Sequence, residues 1–418
     1  MSPSECSQSC QAVPEKFIAR QPILDVNQEV CAYELLFRSG VENYFSHSDG
    51  DQATTQLIVN SMLLFGMEAV TGRAQAFINF TRSILLDGSA SLLPREKVVV
   101  EVLEDINPDR QVLEACAKLK KEGFTLALDD YVGQEQFVHL LPIVDVVKID
   151  FLGMPENQRA RLAETLAPSG VRLLAEKIET RQDFQQARRL GYSLFQGYFF
   201  FEPVIIRRRD IPSNKVRLLQ VLKELNRPDL DLKDLARLIS SDVSMTFKLL
   251  RYINSAAFSL LAEVKSIEQA LNLLGKIEIR KWATLITMSG LCQGKPTELM
   301  ATSVVRAKLA ESLAVAMGLR DRAPDYFIMG LFSLLDTLFG RPLPEMLQEL
   351  PLSVEVKDAL LGKDNQGRKV LDLIRGVEQG DWNQISHLAE ELGLDEPGLT
   401  AMYLDAVQES RELTGMAA

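Results

Sequence analysis

Hydrophobic and polar positions change their spacing near residue 205, which divides the chain into two halves. In the first half, short apolar runs alternate with longer stretches whose apolar residues recur at i, i+3 and i+4. The apolar runs predict eight strands, at 17–24, 29–37, 75–80, 97–102, 124–129, 144–149, 171–176 and 193–198. The longer stretches predict helices at 51–70, 109–122, 157–167 and 181–190. Runs without polar alternation are typical of strands that are covered on both faces.

This alternation predicts an α/β architecture for residues 17–204, and a (β/α)8 TIM-like barrel is the first choice. The barrel would be a shortened one, because most such barrels need about 250 residues. An open, doubly wound sheet is the alternative, since alternation alone does not show whether a sheet closes. Residues 1–16 lack either pattern, and we expect a flexible tail there.

The second half, residues 205–418, shows helical spacing and no strand candidates, which predicts an all-α domain. Helices are expected at 213–226, 232–240, 244–258, 266–275, 303–318 and 325–340. The chain is therefore expected to be multidomain, with a barrel followed by a helical domain.

Polar side chains stand at or near the carboxyl ends of six of the predicted strands. They are Glu34, Asn79, Glu101, Asp129, Asp130, Lys148 and Glu176. Barrel active sites are assembled at this face of the sheet. A single acid at a strand end is usually a helix cap or a solvated loop residue, but the repetition over six strands favours a common site.

Five carboxylates, one amide and one ammonium in a small mouth would repel too strongly to ionise together without cations. Oxygen ligands without Cys or His favour Mg²⁺ or Mn²⁺ over zinc. The adjacent Asp129 and Asp130 can serve two ions about 3.5 to 4 Å apart, the arrangement used for displacement at phosphorus. These residues therefore predict a metal-dependent phosphodiester hydrolase.

Composition and charge limit the partners and the cellular location that this protein is expected to have. The 46 Lys and Arg against 57 Asp and Glu give a net charge of −11, so we expect no direct DNA binding and no membrane surface contact. Apolar runs are too short to span a bilayer, and the first residues do not resemble a signal peptide. The 5 Cys are odd in number and scattered, which argues against a disulfide framework. We expect a cytoplasmic protein.

The site residues and their flanking sequences resemble the EAL family of cyclic-di-GMP phosphodiesterases over about residues 17–204. The family signature stands here as Glu34-Leu35-Leu36-Phe37-Arg38, preceded by Gln21-Pro22-Ile23. Further matching segments are INF with Asn79, EVLE with Glu101 and Glu104, LALDDY with Asp129 and Asp130, VKID with Lys148 and Asp150, AEKIET with Glu176 and Glu179, and QGY with Gln196.

The resemblance implies a role for each position. Glu34, Asn79, Glu101 and Asp129 would bind the first ion, and Asp130 would bridge toward a second. Glu176 would be the general base, and Lys148 would orient the attacking water or the phosphate. Gln21 and Arg38 would contact the dinucleotide. Asp150, Glu179 and Gln196 would line the dinucleotide site. Glu104 would hold the metal-binding side chains in position without binding the metal itself.

Three departures from the family pattern bear on activity. The segment after Asp130 reads Tyr131-Val132-Gly133 and lacks the Gly and Ser positions of the family loop, which couples dimerisation to metal binding. Lys177 replaces a family Gly next to the proposed base, and Ser39 stands where a Trp is usual. The second ion is therefore less firmly implied than the first, and a homodimer is left open.

The second half resembles the HDOD family, which is related to HD phosphohydrolases but lacks their metal residues. The matching segments are Asp242-Val243-Ser244 with LLRYINSAAF, VKSIEQA (264–270), LLG, and Arg280-Lys281-Trp282. The position of the hydrolase His-Asp pair holds Leu335-Asp336, and an earlier His ligand would fall near Thr302. The resemblance implies a non-enzymatic module, without metal, that contacts an unidentified protein partner.

Two functions are open at this stage. In the first, the barrel hydrolyses cyclic-di-GMP to the linear dinucleotide with Mg²⁺ or Mn²⁺, and the HDOD domain regulates it or conveys its output. In the second, an impaired barrel binds cyclic-di-GMP as an effector or scaffold and signals to a protein partner through the HDOD domain. The retained acids favour hydrolysis, and the altered loop favours binding.

Overall fold

A computed structural model describes residues 16–39, 70–201, 220–254, 264–291, 296–340 and 342–417. The expected tail falls almost entirely outside these ranges. So does nearly all of the helix predicted at 51–70, and so do parts of the two helices predicted at 213–226 and 244–258.

Eight strands close into one barrel in the order of the sequence. The strands are β1 (Lys16–Leu24), β2 (Val30–Ser39), β3 (Gln75–Phe80), β4 (Val98–Val102), β5 (Thr125–Leu128), β6 (Val146–Asp150), β7 (Arg172–Glu176) and β8 (Leu194–Gln196). Each coincides with a predicted strand to within two residues at either end. The barrel prediction is confirmed, and the alternative of an open sheet is wrong.

The first strand departs from the all-parallel arrangement of a regular (β/α)8 barrel. β1 is antiparallel to both of its neighbours, β2 and β8, whereas the other strand pairs are parallel. The cause is the short connection at 25–29, because a parallel crossover needs about a dozen residues or more. Asp25 stabilises this hairpin turn by accepting hydrogen bonds from the backbone N–H groups of Asn27 and Glu29, at 2.8 and 2.9 Å.

Helices pack outside the parallel strands. They are α1 (Arg82–Asp87), α2 (Arg110–Glu122), α3 (Glu156–Leu166) and α4 (Arg181–Arg189). The side chain of Asp109 caps α2 by accepting from the N–H groups of Gln111 and Val112, and Gly123 ends the helix in a left-handed conformation. The predicted helices at 109–122, 157–167 and 181–190 are confirmed.

One buried apolar side chain from each strand fills the barrel interior. The layer consists of Ile23, Ala32, Phe77, Val99, Ala127, Val146, Leu174 and Leu194. Side chains along a strand alternate between the two faces, so the residue two positions further on also points inward. The residues of the next layer toward the barrel mouth can therefore be identified from the sequence, because each lies two positions from a residue of this apolar layer.

The second half is helical in all the parts that the structure describes. Its helices are α5 (Leu232–Ser240), α6 (Val243–Ile253), α7 (Ile267–Leu291), α8 (Thr297–Ala316), α9 (Ala323–Phe332), α10 (Leu335–Phe339), α11 (Leu343–Glu349), α12 (Val354–Leu360), α13 (Gln366–Gln379), α14 (Trp382–Leu392) and α15 (Glu396–Ala417). None of the described helices is both long and apolar enough to cross a membrane.

Three predicted helix boundaries were wrong. The helix predicted at 266–275 extends through Gly275, where non-helical backbone angles introduce a kink in α7. The helix predicted at 303–318 starts at Thr297, because buried polar residues such as Glu298 interrupt its apolar pattern. The helix predicted at 325–340 is broken after Phe332, where the Ser333 hydroxyl donates to the carbonyl of Gly330 at 2.8 Å.

The barrel and the last helices share one hydrophobic core. One buried cluster runs from the outer faces of the barrel strands into residues 299–407, whereas residues 225–283 contain a smaller core of their own. At the contact, the Tyr33 hydroxyl donates to Glu298 Oε2 at 3.0 Å. The Arg20 guanidinium lies 4.4 Å from the Tyr33 ring centroid, which is a cation–π contact. The C-terminal helices thus pack directly on β1 and β2.

Candidate metal centre

A layer of polar side chains lies directly above the apolar layer of the barrel, with one residue from each strand. Its members are Gln21, Glu34, Asn79, Glu101, Asp129, Lys148, Glu176 and Gln196, each two positions from an apolar-layer residue. On the antiparallel β1 the step runs backward, from Ile23 to Gln21. Strand alternation therefore brings all eight of these predicted site residues into one ring.

Glu34 corrects one detail of the sequence analysis. It lies in the middle of β2 and not near its carboxyl end, because the hairpin with β1 extends β2 beyond the barrel mouth. Gln21 pairs with Glu34 across this hairpin. The tilt and stagger of a closed barrel place this mid-strand residue at the level of the other strand ends.

The Lys148 ammonium holds the carboxylates of this ring together. Its Nζ lies 2.9 Å from Asp129 Oδ1, 2.8 Å from Glu176 Oε1 and 3.6 Å from Glu34 Oε1, and it also pairs with Glu101. The Lys148 side chain is 1% exposed. One cation among four carboxylates leaves an excess of negative charge in a buried site, and such a site attracts further cations.

Burial raises the pKa of two of these carboxyls. Desolvation raises the pKa of Glu176 to about 8, against the opposing effect of Lys148. Desolvation also raises the pKa of Glu101 well above its usual range, with Lys148 again opposing. A buried carboxyl with a pKa near neutrality can exchange a proton at physiological pH, which is what a general base requires.

Several oxygens of the ring are available to a cation. Among the described residues, Asn79 Oδ1, Glu101 Oε2 and Asp130 Oδ1 are buried and have no hydrogen-bond partner. Asp129, Asp130 and Glu176 each offer an oxygen, and these three oxygens lie within 4.8 Å of one another. Buried acceptors without donors carry a free-energy cost that a hard divalent ion would remove. The residues therefore fit Mg²⁺ or Mn²⁺.

A second ion pair lies at the edge of the ring. Lys177 Nζ donates to Asp150 Oδ2 at 2.6 Å, and its charge also acts on Asp130. Lys177 has a φ of 52°, a left-handed conformation that non-glycine residues adopt at a cost. Asp150 also accepts from the N–H groups of Leu152 and Gly153, which helps to keep its pKa low. The exposed Lys177 ammonium, which pairs with Asp150, thus adds positive charge near Asp130.

The remaining predicted residues are not members of the ring of eight. Glu104 and Glu179 are largely exposed. The part of the Glu104 carboxyl that is desolvated, together with the negative charges of Asp129 and Asp130, raises its pKa. The backbone of Arg38 belongs to β2, but its side chain lies outside the described part of the chain. Its predicted contact with the dinucleotide stays a prediction.

One contact at the ring was not predicted from the sequence. Gln21 Nε2 donates to the backbone carbonyl of Gln379, at the end of α13. A backbone acceptor carries no side-chain signature, and the two residues are 358 positions apart in the chain. Only the packing of the second half on β1 reveals it.

The raised pKa of Glu176 predicts a pH dependence for the metal-free protein. Glu176 binds its proton more tightly in the folded state than at its ordinary pKa of 4.5, so its contribution to stability is complete below about pH 4.5 and is lost as the pH rises through about 8. We expect that the free energy of unfolding of Glu176→Gln will not show this decrease as the pH rises. Urea unfolding in EDTA across this range would measure the difference from wild type, with the exposed Glu164→Gln as the control. Parallel curves for wild type and Glu176→Gln would contradict the prediction.

Comparisons with known proteins match both halves of the chain. The family model for the EAL domain matches residues 67–203, and that for the HDOD domain matches residues 211–361. The uncharacterized protein YuxH of Bacillus subtilis is 37% identical over 94% of this chain and 97% of its own length. The cyclic di-GMP phosphodiesterase CdgJ of Vibrio cholerae is 35% identical over 95% of this chain and 93% of its own length.

Among solved structures, the Klebsiella pneumoniae protein BlrP1, in a complex with manganese and cyclic-di-GMP, is 22% identical to this chain. The match covers 47% of this chain and 56% of that one, with a TM-score of 0.38.

The barrel with its polar ring is an EAL domain, and the helical half contains an HDOD domain. The chain belongs to the family of EAL–HDOD proteins, represented by relatives that match it over nearly their full length. The resemblance read from the sequence is confirmed.

Proposed function

We propose that this protein is a metal-dependent phosphodiesterase that hydrolyses cyclic-di-GMP to the linear dinucleotide. The observation that carries the proposal is the complete ring of eight inward polar residues, which includes Glu34, Glu101, Asp129 and Glu176 around the Lys148 ammonium. The similarity to CdgJ, named as a cyclic di-GMP phosphodiesterase, supports the same assignment.

Glu34, Asn79, Glu101 and Asp129 would hold the first Mg²⁺ or Mn²⁺. Asp130, which offers an oxygen within 4.8 Å of oxygens of Asp129 and Glu176, would bridge toward a second ion. When bound, the ions supply positive charge to the phosphate and activate water. The unpaired oxygens of Asn79 and Asp130 are the observation that fits this role.

The protein's own side chains provide the proton transfer and the orientation. Glu176 would accept the proton of the attacking water, because burial holds its pKa near neutrality. Lys148 fixes the Glu176 carboxylate through the 2.8 Å contact of Nζ with Oε1. Gln21 and Arg38 would contact the dinucleotide, and the guanidinium of Arg38 is the suitable donor to a phosphate oxygen.

Lys177 favours a second candidate function, in which the barrel binds cyclic-di-GMP without rapid turnover. Its ammonium pairs with Asp150 and acts electrostatically on Asp130, so its positive charge would disfavour a second ion there. A one-ion site would still hold the ligand but would stabilise the transition state less well. In that case the protein would act as an effector or scaffold.

One experiment separates the two functions. Purified full-length protein is incubated with cyclic-di-GMP and Mn²⁺ or Mg²⁺, product is followed by chromatography, and binding is followed separately by calorimetry. Linear dinucleotide formed in a metal-dependent reaction supports the hydrolase. Stoichiometric binding without product would establish the effector, and neither binding nor product would overturn both candidates.

For the helical half we propose an interaction with a protein partner of unidentified nature. The resemblance to HDOD domains implies this role, and Asp336 fits it. Its carboxylate accepts from the N–H of Thr337 at 2.7 Å, and Leu335 stands where a hydrolase would carry its His. Asp336 thus serves a local backbone contact.

A further inference from the structure

A continuous chain of hydrogen bonds joins the C-terminal half to a predicted metal ligand. The Gln379 carbonyl accepts from Gln21 Nε2 at 3.1 Å, and Gln21 Oε1 accepts from Gln196 Nε2 at 2.8 Å. Gln196 Nε2 also donates to Glu34 Oε2 at 2.7 Å. Two side chains, Gln21 and Gln196, thus connect the end of α13 to the predicted metal ligand Glu34 through hydrogen bonds.

The carbonyl of Gln379 fixes the direction of this chain. A backbone carbonyl can only accept, so Gln21 must present its NH2 group to it and its oxygen to Gln196. Gln196 must then present its own NH2 group to both Gln21 and Glu34. The same orientation leaves Gln196 Oε1 buried and without a donor, so it is available as an acceptor to a ligand. The Glu34 carboxylate is also an acceptor, so the two ends of the chain require the same amide orientations, and the carbonyl holds the Gln21 end of the chain in place.

The end of α13 is held in place from two sides. Glu378 accepts two hydrogen bonds from the buried guanidinium of Arg306 on α8, at 2.7 and 2.6 Å. Gly380 has a φ of 69°, and a Cβ at this position would lie 2.6 Å from Leu36 Cδ1 of β2. A side chain at 380 would therefore have to displace the Leu36 side chain of the barrel. Such bidentate pairing and close packing restrict movement of the carbonyl.

We propose that the C-terminal half completes the barrel site, with the Gln379 carbonyl as a positioning group that orients Gln21, Gln196 and, through them, Glu34. The proposal rests on the proposed metal and dinucleotide site and adds a part of that site supplied from outside the EAL domain. A change in the packing of α13 on β1 then alters the affinity for the metal ion and for the dinucleotide, although α13 contacts neither of them.

Two glycines provide a matched test in the full-length protein. Gly380 and Gly393 end the successive helices α13 and α14 with nearly the same φ, 69° and 68°, but a side chain at 393 meets open space. Asn tolerates this conformation better than other residues, so both Gly→Asn substitutions keep the helix ends. We expect Gly380→Asn to weaken Mn²⁺ and cyclic-di-GMP binding by about tenfold, whereas Gly393→Asn leaves both unchanged.

Rescue distinguishes positioning from general damage. Leu36→Ala makes room for the new side chain, so Gly380→Asn combined with Leu36→Ala should recover most of the lost affinity relative to Leu36→Ala alone. Equal Mn²⁺ and dinucleotide affinities for Gly380→Asn and Gly393→Asn would overturn the proposal. If wild type binds neither Mn²⁺ nor cyclic-di-GMP, the proposed function itself fails, and this inference fails with it.

Hydrogen exchange on the wild-type protein gives a test that does not depend on a variant folding. Coupling between two sites is reciprocal, so a site that the Gln379 carbonyl helps to build must in turn stabilise the docked end of α13 when it is filled. Addition of Mn²⁺ with cyclic-di-GMP should slow exchange in residues 376–382. Bound ligand with unchanged exchange in this segment would contradict the proposal.

Discussion

Glu176→Gln is expected to lower kcat for cyclic-di-GMP hydrolysis by about 10² to 10⁴, the usual contribution of a positioned general base. The amide has nearly the shape of the carboxyl but cannot accept the proton of water. Glu176 is buried, contacts Lys148 and has a pKa raised to about 8, so its loss removes the base best suited to neutral pH.

Dinucleotide affinity separates this effect from a loss of binding. The first-ion ligands and Gln21 are untouched in Glu176→Gln, so calorimetry should show affinity within about threefold of wild type. Glu164→Gln, an exposed carboxylate on α3, serves as the control for kcat. A variant that keeps full turnover, or one that loses turnover only because it no longer binds, would show that Glu176 is not the base.

Lys148→Met is expected to destabilise the metal-free protein by about 3 to 5 kcal/mol, the cost of removing one partner from a buried ion pair. The substitution keeps the length of the side chain but leaves four carboxylates without their cation. Urea unfolding in EDTA would measure the change. Lys120→Met is the control, because Lys120 pairs with Asp145 at a partly exposed position where an ion pair contributes about 1 kcal/mol or less.

Metal should reverse part of this loss. In Lys148→Met the ring carries more uncompensated charge, so saturating Mn²⁺ should raise the midpoint of unfolding more in the variant than in wild type. A Lys148→Met protein as stable as wild type in EDTA would mean that the carboxylates are neutral without the ammonium. If Mn²⁺ raises the unfolding midpoint equally in both proteins, the ion does not bind at this ring.

The strands and the ring could be predicted from the sequence because both follow local rules. Val98–Val102 is a run of β-branched and acidic residues whose type and length identify a buried strand, and Glu101 follows from its register. The direction of β1 could also have been found, since the connection at 25–29 is too short for a crossover.

Other features depend on contacts that no local pattern encodes. The buried Glu298 hides the start of α8 because its partner, Tyr33, lies 265 residues away. Lys177 and Asp150 are 27 positions apart, and the sequence reveals neither their pairing nor the left-handed backbone at Lys177. The approach of Gln379 to Gln21 depends on how two halves of the chain pack.

The shared core also changes what counts as a folding unit in this protein. The buried cluster that continues from the barrel into residues 299–407 joins these segments into one cooperative body, while residues 225–283 form a smaller body inserted between them. Helix α7 contributes to both, with Ala283 in the small core and Leu285 and Met288 in the large one. A cut at residue 204 would therefore divide a folding unit and expose apolar surface. Helix α7 thus connects the smaller core to the core that the barrel shares.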